Sequence, residues 1–127
     1  MAKKKENSTN SINSQYITEC DLTYAVCKTG GRWKLLILCK LENGKLRFSE
    51  IRDRISGITE RMLTLHLREM EKDGLLKRTV YAQVPPRVDY ELTEIARELI
   101  PIWKQLEDWG KKHKKLVKEQ LLEVDEN

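Results

Sequence analysis

Apolar residues recur along this chain with two different periods, and the changes of period divide it into elements. Residues 1 to about 17 are dominated by Lys, Ser, Asn and Thr. Such a stretch buries too little surface to offset the entropy of ordering, so a flexible polar arm is expected there. Leu22, Ala25 and Val26 then space as a short helix, which Gly30 and Gly31 stop. Over residues 32–42, Trp33, Leu35, Leu36, Ile37, Leu38 and Leu41 cover most of a helical circumference, the pattern of a central helix buried on several sides. Asn43-Gly44 ends it, and Lys45-Leu46-Arg47-Phe48 reads as a brief strand. Ser49 suits the N-cap of a short helix striped by Ile51 and Ile55.

After a turn at Ser56-Gly57, Thr59 can cap a longer helix. Met62, Leu63, His66 or Leu67, and Met70 recur at helical spacing and face inward. The opposite face carries Thr59, Glu60, Arg61, Thr64, Leu65 and Arg68, and Gly74 stops the helix. Two β runs, 75–80 and 88–92, flank Ala82-Gln83-Val84-Pro85-Pro86-Arg87. Prolines cannot donate to a sheet ladder, so that segment is the loop between the strands. From Thr93 onward, Ile95, Leu99, Ile102, Leu106 and Trp109 alternate by four and three residues, the period of a helix seam. Pro101 interrupts the seam and predicts a kink or a break into two helices. Lys111, Lys112, Lys114, Lys115 and Lys118 follow, then an acidic end. The predicted organisation is a flexible arm over 1–17, one domain over 18–110, and a charged helix or tail over 111–127.

Composition narrows the function classes. Hydrophobic residues make up 39% of 127 and charged ones 35%, enough for one thin core, with any exposed apolar helix needing a partner subunit. The formal net charge is +4, which fits a polyanion without selecting one. Lys3-Lys4-Lys5 is followed by polar residues rather than the apolar stretch of a signal peptide, and the longest apolar run, 35–39, is far short of a membrane span. A cytoplasmic protein with no membrane partner is expected. There Cys20, Cys27 and Cys39 stay mainly as thiols. His66 and His113 have no Cys or acidic neighbours at metal spacing, no phosphate-cradling loop is present, and no nucleophile motif occurs. No metal, cofactor or enzymatic activity is predicted.

The chemistry that remains is recognition. A helix beside a basic β-ribbon is how a winged helix-turn-helix grips duplex DNA. Arg61, Thr64 and Arg68 can reach base edges, and Leu65 can meet a thymine methyl. Arg87, following two prolines, would be presented stiffly to the minor groove or to phosphates. Arg32, Lys34, Arg47 and Ser49 lie near helix starts, where phosphate contacts are common. Ordinary surface solvation is an equal reading for each of these alone. Glu60 would repel phosphate unless it accepts from a cytosine amine. Trp33, Trp103 and Trp109 sit on helical stripes and suit core or dimer packing better than a ligand cage. A protein–protein adaptor on the same fold needs no basic face, and an RNA-binding module lacks exposed aromatics for stacking.

Three patterns in unbroken order carry a family resemblance: Cys20 followed by Gly30-Gly31-Arg32-Trp33-Lys34-Leu35-Leu36-Ile37-Leu38, the segment from Arg47-Phe48-Ser49-Glu50-Ile51 to Met70, and Val84-Pro85-Pro86-Arg87-Val88-Asp89-Tyr90-Glu91-Leu92-Thr93. Over roughly residues 20–110 the chain resembles the HxlR-type winged-helix transcriptional regulators. The resemblance implies a mainly α fold with a small β-wing and extra terminal helices for dimerisation. It also implies a homodimer on an inverted-repeat operator in double-stranded DNA. Leu22, Leu99, Ile102, Leu106 and Trp109 are the expected dimer contacts. Some relatives sense oxidants, quinones or aldehydes through a cysteine at the position of Cys20. Here Asp21 stands where a proline commonly follows, and its carboxylate disfavours the thiolate, whereas a helix N-terminus favours it. A small-molecule-responsive regulator without thiol chemistry is the variant reading.

Overall fold

The computed structural model describes residues 20–126. The predicted arm over residues 1–17 lies outside them. In order, the elements are α1 (Asp21–Thr29), α2 (Lys34–Lys40), β1 (Leu46–Arg47), α3 (Phe48–Arg54), α4 (Glu60–Lys72), β2 (Leu76–Tyr81), β3 (Arg87–Leu92), α5 (Glu94–Arg97) and α6 (Ile100–Glu126). The three strands form one antiparallel sheet in the order β1-β3-β2. This is a winged helix with helices added at both ends, the mainly α architecture expected.

The core gathers the inward stripe of each element. Ile37, Leu38 and Leu41 from α2, Ile51 from α3, and Leu63, Leu67 and Met70 from α4 are essentially sealed from solvent. Leu46, Leu76 and Leu92 close it from the sheet, and Ala96 and Trp103 from the C-terminal side. Each fully buried aliphatic side chain contributes about 1.5–3 kcal/mol by leaving water. Trp103 also donates its indole N–H to Glu42 Oε1 at 2.9 Å, which ties α6 to the end of α2.

Several boundaries differ from the sequence reading, each for a local reason. The central helix starts at Lys34 rather than at 32, because Gly31 takes a positive φ of 82° and Arg32 and Trp33 stay in the turn. Leu36 on α2 is 43% exposed, so this helix is not apolar-buried all round. Ser49 is not a cap: Phe48 already begins α3 and packs on the core, and Glu50 Oε1 instead accepts from the Arg47 N–H at 3.0 Å. Pro101 does divide the terminal helices. It falls in the first turn of α6, where a missing N–H costs no helical bond. Leu99, expected in the dimer seam, is half-buried against the chain's own core. Past residue 110, α6 continues without interruption.

Candidate nucleic-acid interface

The helix-turn-helix is α3, a turn over residues 55–59, and α4. Ile55 and Ile58 anchor that turn in the core, and Gly57 adopts the φ of +87° that lets the chain reverse. Thr59 caps α4 as expected, its hydroxyl accepting from the Met62 N–H at 3.1 Å. Two further braces hold α4 against the rest of the chain. Lys34 on α2 pairs with Glu69 at 2.8 Å, and Lys28 on α1 pairs with Asp73, the C-cap of α4, at 3.1 Å. The exposed face of α4 therefore sits on a helix capped at its start and braced along its C-terminal part.

That face borders an open groove of ≈ 840 Å³ lined by Phe48, Glu60, Arg61, Met62, Thr64, Leu65 and Arg68. Arg61, Leu65 and Arg68 are exposed, and Thr64 is half-exposed with its hydroxyl donating to the Glu60 carbonyl at 2.8 Å. Among the described residues neither Arg61 nor Arg68 has an ion-pair partner, so both guanidinium forks remain available. Glu60 is occupied: Arg52 of α3 pairs with it and also reaches Asp53 at 3.2 Å. These bonds hold the Arg52 guanidinium's pKa above its ordinary value. The carboxylate at the N-terminal end of the α4 face is thus ion-paired to the neighbouring helix, through an arginine that it shares with Asp53.

The sequence reading missed Arg78. It lies on β2 and lines a second cleft, between α4 and the sheet, together with Phe48, Thr64, Arg68, Glu71 and Tyr90. A strand arginine joins a helix arginine only through tertiary folding, and nothing local in the sequence signals it. Of the flanking candidates, Arg47, Ser49 and Arg32 are exposed. Arg47 closes β1 against the sheet, and Arg32 stacks on Trp33 with its guanidinium carbon 4.5 Å from the ring centroid.

Arg87 is placed differently from the expectation. It is the first residue of β3 rather than part of the proline loop, and it is not a free tip residue. Its Nε donates to Asp89 Oδ1 at 3.0 Å, and its guanidinium carbon lies 5.4 Å from the Tyr81 ring centroid. The side chain keeps 38% exposure. The Arg87 hydrogen bond holds the Asp89 carboxyl below its usual range.

Cys20 is the exposed N-cap of α1, with Sγ accepting from the Thr23 N–H at 3.4 Å. Hydrogen bonding from Thr23, through its side chain and its backbone, lowers the thiol pKa and outweighs the opposing charge of Asp21. Burial instead raises the pKa of Cys39, so the two thiols are chemically distinct. On α1, α5 and α6, Leu22, Ile95, Ile102, Leu106 and Trp109 face outward, and the apolar series continues through Leu116, Val117, Leu121 and Leu122. No described helix is long and apolar enough to cross a membrane. Among the described residues no group of three His, Cys, Asp or Glu side chains is placed to hold a metal ion.

Known proteins match this arrangement. An HTH-type transcriptional regulator of Methanothermobacter thermautotrophicus is 56% identical over 92 residues, covering 72% of this chain and 70% of the relative. The solved structure of the redox regulator HypR in its reduced form superposes with a TM-score of 0.73 at 43% identity, covering 77% of this chain and 97% of that one. The oxidised form of HypR gives 0.70 at 46% identity, covering 73% and 96%. The model of the HxlR-like helix-turn-helix matches residues 28–118. The chain is a DNA-binding transcriptional regulator and belongs to the HxlR-like helix-turn-helix family.

Proposed function

We propose that the protein acts in the cytoplasm as a homodimer on an inverted-repeat operator, by binding rather than catalysis. Arg61, Thr64 and Leu65 of α4 read bases in the major groove. Arg68 and Arg78 flank the same groove, and Thr59, Ser49, Arg47, Arg32 and Arg87 grip the backbone around it. The observation that carries this reading is the α4 face itself. It presents two arginines with no ion-pair partner among the described residues, while Glu60 on the same helix is ion-paired to Arg52. The exposed seam from Ile102 to Trp109 supports dimerisation, since an apolar stripe of that length needs a cover. The test is titration of duplex DNA at several salt concentrations. Backbone contacts release counterions and give a steep slope, whereas an adaptor without DNA contacts gives none.

Cys20 is assigned as the redox-responsive group. Its exposure, its capping position and its lowered pKa support the assignment, as does the likeness to HypR, a redox regulator solved in reduced and oxidised forms. Attack of the Cys20 thiolate on a small disulfide, which breaks that S–S bond, forms a mixed disulfide and releases one small thiol, would place an adduct at the start of α1. That helix is joined through Lys28 to the C-cap of α4. A gel shift with and without diamide, comparing the native chain with Cys20→Ser, decides it. Equal responses from both proteins would remove Cys20 from the mechanism.

A further inference from the structure

A contact of Arg87 with DNA leaves the residue beneath it without a role. Asp89 is a carboxylate only 2% exposed, in the central strand of the sheet. Burial of a charged group is unfavourable unless it is paired and hydrogen-bonded. Asp89 is only half satisfied: Oδ1 accepts from Arg87 Nε, while Oδ2 has no donor among the described residues. Where a buried ion pair serves stability alone, apolar side chains of similar size do as well or better.

Most of the charge around Asp89 is cationic, although Glu50 also lies near Arg87. In the strand register the neighbours of Asp89 are Arg47 of β1 on one side and Thr79 of β2 on the other. Tyr81 opposes Arg87 across the same sheet, puts its ring beside the guanidinium, and accepts from Lys45 Nζ at 3.4 Å through its hydroxyl. Side chains two residues apart on a strand share a face, so Arg87 and Asp89 lie on one surface with Tyr81 and Arg47. Arg87 is therefore held by a carboxylate at Nε and lies beside a ring, while its two terminal nitrogens have no ion-pair partner among the described residues. Those nitrogens remain available to a phosphate.

We propose that Asp89 is the positioning residue of the wing, a buried carboxylate that fixes Arg87 and gathers Arg47 and Lys45 into one preorganised cationic edge for the DNA backbone. The proposal rests on the reading of the wing as a backbone contact. Its energetic logic is that a long side chain ordered before binding loses less freedom on binding.

The sign of one substitution separates this role from simple electrostatics. Asp89→Asn removes a negative charge from a chain of formal charge +4, so bulk attraction alone predicts tighter binding to DNA. Positioning predicts weaker binding, by about two- to tenfold, with Arg87→Ala costing little more once Asp89 is gone. The measurement is fluorescence anisotropy with a labelled random-sequence duplex, since backbone contacts are independent of sequence. It is run on native, Asp89→Asn, Arg87→Ala and double-variant proteins alongside their melting temperatures. Arg87→Lys covers the case in which Asp89→Asn does not fold. It keeps the charge and leaves Asp89 in place, and it should still bind more weakly with unchanged melting. Folded Asp89→Asn that binds as tightly as the native chain or tighter would overturn the proposal. So would additive losses in the double variant, or Arg87→Lys binding like the native chain. Arg61→Ala, scored by preference for operator over random duplex, reports on α4 alone, so failure of the helix reading is seen separately.

Discussion

In the half of the molecule built from α3, α4 and the sheet, Ile51, Leu63, Leu67 and Met70 are sealed from solvent, and of the charged side chains only Asp89 is buried among the described residues. Along α1 and α6 the order is reversed: Leu22, Ile102, Leu106 and Trp109 each expose more than half their surface. The same residue types are complete within one chain in the first region and incomplete in the second. A single chain can fold and brace a recognition helix, but it cannot cover its own terminal helices. The difference assigns recognition to the first region and assembly, in our proposal, to the second. The ion pair between Lys28 and Asp73 is one of the few links joining them.

The harshest way to probe that contrast is to disrupt large apolar side chains in each region. Leu63→Ala should cost about 2–5 kcal/mol in chemical denaturation, whatever the protein concentration, because a sealed cavity is left behind. Leu106→Glu together with Trp109→Glu should instead act through assembly, yielding monomers or unfolded chains at micromolar concentration in sedimentation. Sedimentation of the native chain as a monomer under those conditions would break the contrast. On the recognition side, Arg61→Ala should weaken specific binding by about 1–3 kcal/mol if it meets a base. Arg78→Ala should lower the salt slope by about one counterion and weaken binding evenly across sequences.

Smaller effects sharpen the boundary between the regions. Timed alkylation with mass-spectrometric readout should modify Cys20 well before Cys39 at neutral pH, because hydrogen bonding from Thr23 favours one thiolate while burial disfavours the other. Equal rates would remove the chemical distinction. His66, half-buried on α4 between Lys34 and Glu69, has no hydrogen-bond partner at either ring nitrogen among the described residues, and burial holds its pKa below the ordinary value of 6.5. The unfolded chain therefore takes up this proton first as pH falls. Stability from the neutral ring is fully present above 6.5 and is lost as pH drops through the folded value. His66→Gln should flatten that part of the stability–pH curve, and an unchanged slope would refute the assignment.

Much of this was legible in the sequence where the signal is local. Thr59 and Thr93 cap helices because a hydroxyl at the right place meets an N–H three residues on. The spacing of Leu63, Leu67 and Met70 marks the buried stripe of α4, and Pro101 marks the break before α6. The illegible parts are contacts between distant residues or choices between adjacent ones. Arg52 and Glu60 meet only because the turn folds α3 against α4, and Trp103 finds Glu42 across 61 positions. Arg78 reaches the α4 cleft through the sheet, and Arg87 is drawn from the loop into β3 by strand pairing and by Asp89. Ser49 and Glu50 both carry capping oxygens, and the packing of Phe48 on the core decides between them.

Selection of bound duplexes from a random-sequence pool, followed by sequencing, tests most directly whether a braced α4 in each of two subunits reads DNA. The predicted result is enrichment of an inverted repeat whose half-sites lie about 34–36 Å apart along the helix axis or at multiples of that spacing. Arg61→Ala should blur particular positions within each half-site. No enrichment, or a single unrepeated site bound equally well by Arg61→Ala, would contradict it.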